Sequence, residues 1–108
     1  MELTEYQQLA HRTARYPAET GVYYATLGLV GEAGEIANKV KKIIRDHGSQ
    51  VTPEVISTLQ DEIGDVLWYV AELCTVLGIS LDEIAAKNID KLQDRKQRGV
   101  ITGSGDNR

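Results

Sequence analysis

Two short acidic segments of this 108-residue chain share one order of residue types. Gly31-Glu32-Ala33-Gly34-Glu35-Ile36 is matched by Asp61-Glu62-Ile63-Gly64-Asp65-Val66. In both, an acid is followed by an apolar residue, a glycine, a second acid and a β-branched residue. Two acids three positions apart lie on one face of an α-helix. Each segment therefore predicts a helix that presents a pair of carboxylates.

The acids lie on the same side of an apolar stripe in both segments. The stripes consist of Leu29, Ala33, Ile36 and Val40, and of Leu59, Ile63, Val66 and Val70. Stripes packed face to face in antiparallel helices would bring all the acids together, whereas parallel helices would separate the two pairs. The short connection from His47 to Thr52 is typical of antiparallel neighbours in helical bundles. We therefore expect four carboxylates to converge, those of Glu32, Glu35, Glu62 and Asp65.

Four converging carboxylates predict a metal site. They cannot all stay ionised without a counter-charge, and oxygen ligands are those that Mg²⁺ and Mn²⁺ prefer. A di-iron site would need Glu-x-x-His repeats, and neither His11 nor His47 follows a glutamate at that spacing. Taken singly, each acid pair is also typical of an ordinary solvated helix face. Gly34 and Gly64 each cost about 1 kcal/mol relative to alanine inside a helix, which indicates a close backbone approach beside the acids.

The pattern of apolar residues and helix caps predicts an all-α fold of four helices. The first starts at the cap residue Thr4 and runs to about Arg15, and the second runs from Thr20 to Asp46. The third follows Thr52 and Pro53 and stops at Gly78, and the fourth runs from Ser80 towards Gly99. Residues 1–98 are thus predicted to form one bundle-type domain with helices two and three antiparallel, and residues 99–108 a mobile tail.

The predicted fourth helix carries groups that suit phosphate oxygens. Asn88, Lys91 and Arg95 lie at positions i, i+3 and i+7, on one face. Alone, this pattern is typical of a solvated basic face, but beside a metal cluster it predicts a polyphosphate clamp. The chain has no Walker-type glycine loop and no Gly-x-Gly-x-x-Gly motif, so a phosphate site would be built around the metal.

Composition excludes several other classes of protein. The net charge of −4 argues against binding of a nucleic-acid polymer, and no apolar run is long enough for a membrane span. The single cysteine, Cys74, lies in an apolar stripe, where we expect it to be buried, and the first residues do not resemble a signal peptide. We expect a cytoplasmic protein, in the host cytoplasm if the chain is viral. A small core without phenylalanine favours completion by oligomerisation.

The combination of these motifs resembles the MazG-like branch of the all-α nucleoside triphosphate pyrophosphohydrolases. The resemblance covers roughly Tyr23 to Arg95 and rests on the segments Leu27-Gly28-Leu29-Val30-Gly31-Glu32-Ala33-Gly34-Glu35, Lys41-Lys42, Asp61-Glu62-Ile63-Gly64-Asp65-Val66-Leu67-Trp68-Tyr69 and Asn88-x-x-Lys91-Leu92-x-x-Arg95. The family signature is Glu-Glu-x-x-Glu followed by Glu-x-x-Asp. Gly31 stands where the signature has its first glutamate, so the carried-over metal ligands and catalytic acids are Glu32, Glu35, Glu62 and Asp65.

The resemblance implies Mg²⁺-dependent hydrolysis of a (deoxy)nucleoside triphosphate between the α and β phosphates, with Mn²⁺ as a substitute metal. The products would be the monophosphate and pyrophosphate, deoxynucleotides would be substrates, and the chain would form a homodimer or a dimer of dimers. The nucleobase would bind among Trp68, Tyr69, Tyr23, Tyr24, Gln8 and His11, with plain core or interface packing as the other reading of the aromatic residues. The rival function is a non-catalytic helical interaction module with a solvated acidic face. Base preference, sugar preference and metal number stay open.

Overall fold

The computed structural model describes residues 1–108 and contains four α-helices and no strand. Helix α1 spans Leu3–Arg12, α2 spans Gly21–Asp46, α3 spans Pro53–Val76 and α4 spans Leu81–Gln97, and a short 3₁₀ turn, Ala18–Thr20, leads into α2. The all-α prediction is therefore confirmed.

Local sequence signals set most of the helix ends. The Thr52 side chain accepts a hydrogen bond from the Val55 N–H and precedes Pro53, and the Ser80 side chain accepts one from the Glu83 N–H. Gly48 and Gly78 follow α2 and α3 with φ values of 55° and 70°, in the left-handed region that a Cβ disfavours. The predicted starts and stops of α3 and α4 are thus confirmed.

Helix α1 differs from its predicted bounds. It begins at Leu3, after Glu2, so Thr4 lies inside the first turn and does not cap it, and it ends at Arg12 rather than Arg15. The side-chain amide of Gln7 forms two hydrogen bonds with the α3–α4 turn. Its Nε2 donates to the Ile79 carbonyl, and its Oε1 accepts from the Leu81 N–H. These contacts, more than seventy residues apart in sequence, fasten α1 to the start of α4.

Helices α2 and α3 pack antiparallel, as predicted. A Cβ at Gly21 would meet Val76, one at Gly28 would meet Tyr69, and Lys39 bonds Glu62. Positions rise along α2 as their partners fall along α3, which defines the antiparallel register. Because the register is continuous, the acidic segment of α2 lies opposite that of α3.

The core of the single chain is small. Only ten of the 108 residues are buried, and the one buried apolar cluster consists of Ala10, Ala71, Cys74 and Leu81, where α1, α3 and the start of α4 meet. The predicted burial of Cys74 is confirmed. The stripes between α2 and α3 are less covered than expected, since Ile63 is 56% exposed and Val40 is 44% exposed. Large apolar side chains such as Leu27 and Ile44 are more than 70% exposed.

Helix α4 leaves the end of α3 at an angle of 105°. No single helix is both long and apolar enough to cross a membrane, and the bent pair α3–α4 meets those criteria only when its two members are counted together. The predicted tail lies back along α4, where the Arg95 side chain donates to the Asp106 carbonyl at 2.7 Å.

Candidate active site

Three carboxylates from the two acidic segments meet at the α2–α3 interface. Glu32 of α2 and Glu62 and Asp65 of α3 each place one oxygen within 4.8 Å of the others. The antiparallel register produces this arrangement because it places Glu32 opposite the turn that carries both α3 acids. Glu32 and Glu62 are half-buried and Asp65 is exposed. The cluster is therefore open to solvent on one side.

Glu62 has a cationic partner in this cluster, whereas Glu32 is surrounded by other acids. Lys39 donates to Glu62 Oε1 at 2.8 Å, and this hydrogen bond is the main reason that the pKa of Glu62 is lowered. The pKa of Glu32 is raised, chiefly by its hydrogen bond to Glu62, then by burial and by the charges of Asp65, Glu62 and Glu35. Lys39 thus favours the ionised form of Glu62, whereas the neighbouring acids disfavour the ionised form of Glu32.

The donor set fits a hard divalent cation. Glu62 Oε2 is buried, and no nitrogen or hydroxyl donor of the chain bonds to it. A cation would satisfy this oxygen and offset the repulsion among the carboxylates of Glu32, Glu62 and Asp65. Carboxylate oxygens are the preferred ligands of Mg²⁺ and Mn²⁺. Glu32, Glu62 and Asp65 are therefore the residues that could hold a metal ion.

Glu35 lies outside this group of three. It is exposed, and its charge contributes to the raised pKa of Glu32, so it lies near the cluster without joining it. The structure thus brings three of the four expected acids together. The glycines of the motif also differ from expectation, because a Cβ built at Gly34 or Gly64 would meet nothing within 4 Å. The predicted close approach beside the acids is wrong for this chain, and the tight contacts occur at Gly21 and Gly28.

An aromatic wall borders the acids. Glu32, Asp65, Trp68 and Tyr69 line one cavity of about 300 Å³. The Trp68 and Tyr69 rings pack edge to face with centroids 4.9 Å apart. The cavity therefore combines carboxylates, which could hold a metal ion, with two aromatic rings, which offer a flat apolar surface.

The chain matches the family model described as "MazG nucleotide pyrophosphohydrolase domain" over residues 24–100, which include every residue of this cavity. This chain belongs to the MazG nucleotide pyrophosphohydrolase family. It is also 53% identical over 114 residues to the "Gene 37 protein" of Mycobacterium phage L5, with both chains covered in full. No solved structure matches the chain.

The other predicted base-binding residues of this MazG-family chain are dispersed. The centroids of the Tyr24 and Tyr69 rings lie 6.1 Å apart, and Tyr24 does not line the cavity. Tyr23 is 72% exposed. Gln8 and His11 line a different cavity of about 490 Å³, beside the α3–α4 turn. Within one chain, the structure brings only Trp68 and Tyr69 to the acids.

The predicted phosphate-binding residues of α4 have their own partners. Lys91 and Arg95 each lie 3.7 Å from the Asp106 carboxylate, and Asn88 is exposed. Neither cation pairs with an acid of the cluster. The structure therefore does not bring this MazG motif together with the acids inside one chain.

Two features near this MazG site escaped the sequence analysis, the contact made by Lys39 and the buried Glu72. Lys39 bonds Glu62 across the helix interface, a contact that its position four residues after Glu35 does not indicate. Glu72 is fully buried and bonds both His11 and Tyr16. The available signal for Glu72 was an acid inside the apolar run Val70-Ala71-Glu72-Leu73. At Gly31, which replaces a family glutamate, a Cβ would meet nothing, and no neighbouring group occupies that space.

Proposed function

We propose that this chain is a Mg²⁺-dependent pyrophosphohydrolase that cleaves deoxynucleoside triphosphates between the α and β phosphates. The observation that carries the proposal is the carboxylate cluster of Glu32, Glu62 and Asp65, opening into a cavity walled by Trp68 and Tyr69. Membership of the MazG family supplies the general activity. The metal, the cleaved bond and the deoxynucleotide substrate belong to the proposal.

The three clustered carboxylates hold Mg²⁺, or Mn²⁺ in its place, at the edge of the cavity. The bound metal supplies a Lewis acid that polarises the α-phosphate and lowers the pKa of an attacking water. Lys39 keeps Glu62 ionised at neutral pH, because its hydrogen bond favours the carboxylate.

Glu35 is the residue that takes the proton of the attacking water. It is exposed beside the cluster, so its carboxylate stays free to accept a proton. The water oxygen forms a bond to the α-phosphorus as the bond to the α–β bridging oxygen breaks. The products are a nucleoside monophosphate and pyrophosphate. Trp68 and Tyr69 hold the base by stacking and apolar contact.

Asn88, Lys91 and Arg95 bind the β and γ phosphates. Their amide, ammonium and guanidinium groups neutralise and orient the leaving pyrophosphate. Because the two cations lie against Asp106 and away from the acids of their own chain, α4 of a second copy would supply them. Gln8 and His11 would reach the base pocket in the same way. The active unit is accordingly a homodimer or a dimer of dimers.

The exposed apolar surface supports this assembly. Leu27, Val30, Ile44 and Ile63 are each more than half exposed, and few residues are buried within one chain. Light scattering is expected to give a mass of two or four times 11.9 kDa. A mass of one chain at micromolar concentration would contradict the assembly. The relative from a mycobacteriophage supports a site of action in the cytoplasm of a bacterial host.

Incubation of the purified chain with Mg²⁺ and a panel of dNTPs tests the activity. We expect a monophosphate and pyrophosphate from at least one nucleotide, and no turnover after removal of the metal with EDTA. Absence of product from all nucleotides would instead support a non-catalytic helical module.

A further inference from the structure

Glu72 is the largest fully buried side chain of the molecule, and burial of its carboxylate lowers the stability of the fold. Its exposure is 0%, and it lies in α3 among apolar neighbours. Oε1 accepts hydrogen bonds from the Tyr16 hydroxyl at 2.5 Å and from His11 Nδ1 at 3.1 Å, whereas Oε2 is buried without a partner. Burying a carboxylate with one unsatisfied oxygen costs stability, and an apolar residue of similar size is often neutral or better. Stability alone therefore does not account for a carboxylate at this position.

The two partners of Glu72 bracket the segment that connects α1 with α2. His11 lies in the last turn of α1, and Tyr16 lies just before the 3₁₀ turn. Between them, Thr13 accepts a hydrogen bond from Trp68 Nε1 at 2.8 Å. Glu72 thus fixes both ends of the segment whose centre holds the indole of Trp68.

A second path leads from Glu72 to Tyr69. The Tyr16 ring stacks on the Tyr24 ring with centroids 4.8 Å apart, and the centroids of the Tyr24 and Tyr69 rings lie 6.1 Å apart. Tyr69 in turn packs edge to face on Trp68. Burial and the hydrogen bond to Glu72 raise the pKa of Tyr16, so its hydroxyl remains a donor across the neutral range. Both rings of the cavity wall are therefore supported by groups that Glu72 holds.

We propose that Glu72 is a positioning residue for nucleotide binding, which sets the orientation of Trp68 through Thr13 and of Tyr69 through Tyr16 and Tyr24. The inference rests on the proposed function, because it assigns the aromatic wall to the base of the substrate. Glu72 touches neither the acids of the cluster nor the cavity. Its removal should consequently weaken substrate binding more than it slows the chemical step.

Trp68 is the one tryptophan of the chain, so its fluorescence reports directly on this wall. In Glu72→Leu, we expect Trp68 emission to shift to longer wavelength with stronger acrylamide quenching, and KM to rise about tenfold with kcat changed less than about threefold. The melting temperature should stay near that of the wild type or rise, because the variant loses a buried carboxylate and its former partners, exposed His11 and half-buried Tyr16, can bond water instead. A residue with a purely structural role would instead show a lower melting temperature with unchanged Trp68 emission and unchanged KM.

Two further variants and a control complete the test. Glu72→Gln keeps an acceptor oxygen for Tyr16, so its Trp68 emission and KM should lie between those of the wild type and Glu72→Leu. Tyr16→Phe loses the hydroxyl donor and should reproduce part of the change in emission and KM seen in Glu72→Leu. Val55→Ala removes buried apolar volume at the far end of α3, so it should lower stability and leave emission and KM unchanged.

Unchanged emission and KM in both Glu72→Leu and Tyr16→Phe would overturn the proposal. If Glu72→Leu does not fold, the Tyr16→Phe result decides alone by the same criteria. The fluorescence measurements need no nucleotide. They therefore test the positioning role even if the wild-type chain hydrolyses no nucleotide, in which case the proposed function fails separately.

Discussion

Glu62→Gln is expected to lower the rate of pyrophosphate release by about a thousandfold or more, the range typical of losing an electrostatic group that acts in the transition state. Glutamine matches glutamate in size but carries no charge to hold a divalent cation. It also removes the ionic partner of Lys39, whose ammonium would then repel a metal in the cluster. The fold should survive because Glu62 lies at a half-buried position on the helix interface.

The neighbouring residue Asp61 provides a matched control. It is an exposed acid on the same turn of α3 and lies outside the cluster, so Asp61→Asn should keep a rate near that of the wild type. Addition of Mn²⁺ should raise the melting temperature of the wild type and of Asp61→Asn, but not that of Glu62→Gln. A near-wild-type rate in Glu62→Gln would refute the assignment of the metal site.

Glu35→Gln separates two roles for the fourth acid. If Glu35 accepts the proton of the attacking water, the variant loses turnover while Mn²⁺ still raises its melting temperature. Loss of turnover together with loss of the Mn²⁺-induced rise in melting temperature would place Glu35 among the metal ligands.

Gly28→Ala is expected to lower stability by about 1–3 kcal/mol, the usual cost of overpacking. The new Cβ would fall inside van der Waals contact with the Tyr69 ring. That ring cannot move freely because Trp68 and Tyr24 flank it. Since Tyr69 lines the cavity, KM for the nucleotide should rise as well. Thermal and denaturant unfolding, together with steady-state kinetics, measure both effects.

Gly34→Ala is the matched control in the same helix. Its Cβ would meet nothing in the chain, so the substitution should stabilise it by up to about 1 kcal/mol through helix propensity. Equal changes in the free energy of unfolding of the two variants would show that the Tyr69 ring does not limit the side chain tolerated at position 28.

Features that depend on neighbouring residues were predictable from the sequence. The caps at Thr52 and Ser80 follow from side chains that reach a backbone N–H three positions away, and their helices begin where expected. The antiparallel packing of α2 and α3 follows from a short connection and matching apolar stripes. Together these predicted one cluster of Glu32, Glu35, Glu62 and Asp65, and the structure brings all of these acids except Glu35 together.

Contacts between particular side chains that lie far apart in sequence were not predictable. Lys39 bonds Glu62 across the α2–α3 interface, so Glu62 has a cationic partner while Glu35 is exposed. The cost of Gly34 and Gly64 was attributed to close packing, but both positions face open space in the single chain. The partners of Glu72 lie 56 and 61 positions away, beyond any local pattern.

Hydrolysis of dNTPs in ¹⁸O-labelled water tests the central claim most directly. The purified chain, at a concentration well above trace, is incubated with Mg²⁺ and each dNTP, with Glu62→Gln and EDTA as parallel controls. The account predicts equal amounts of monophosphate and pyrophosphate from at least one dNTP, with the label in the monophosphate and no product in either control. Release of orthophosphate, label in the pyrophosphate, or no product from any dNTP would contradict it.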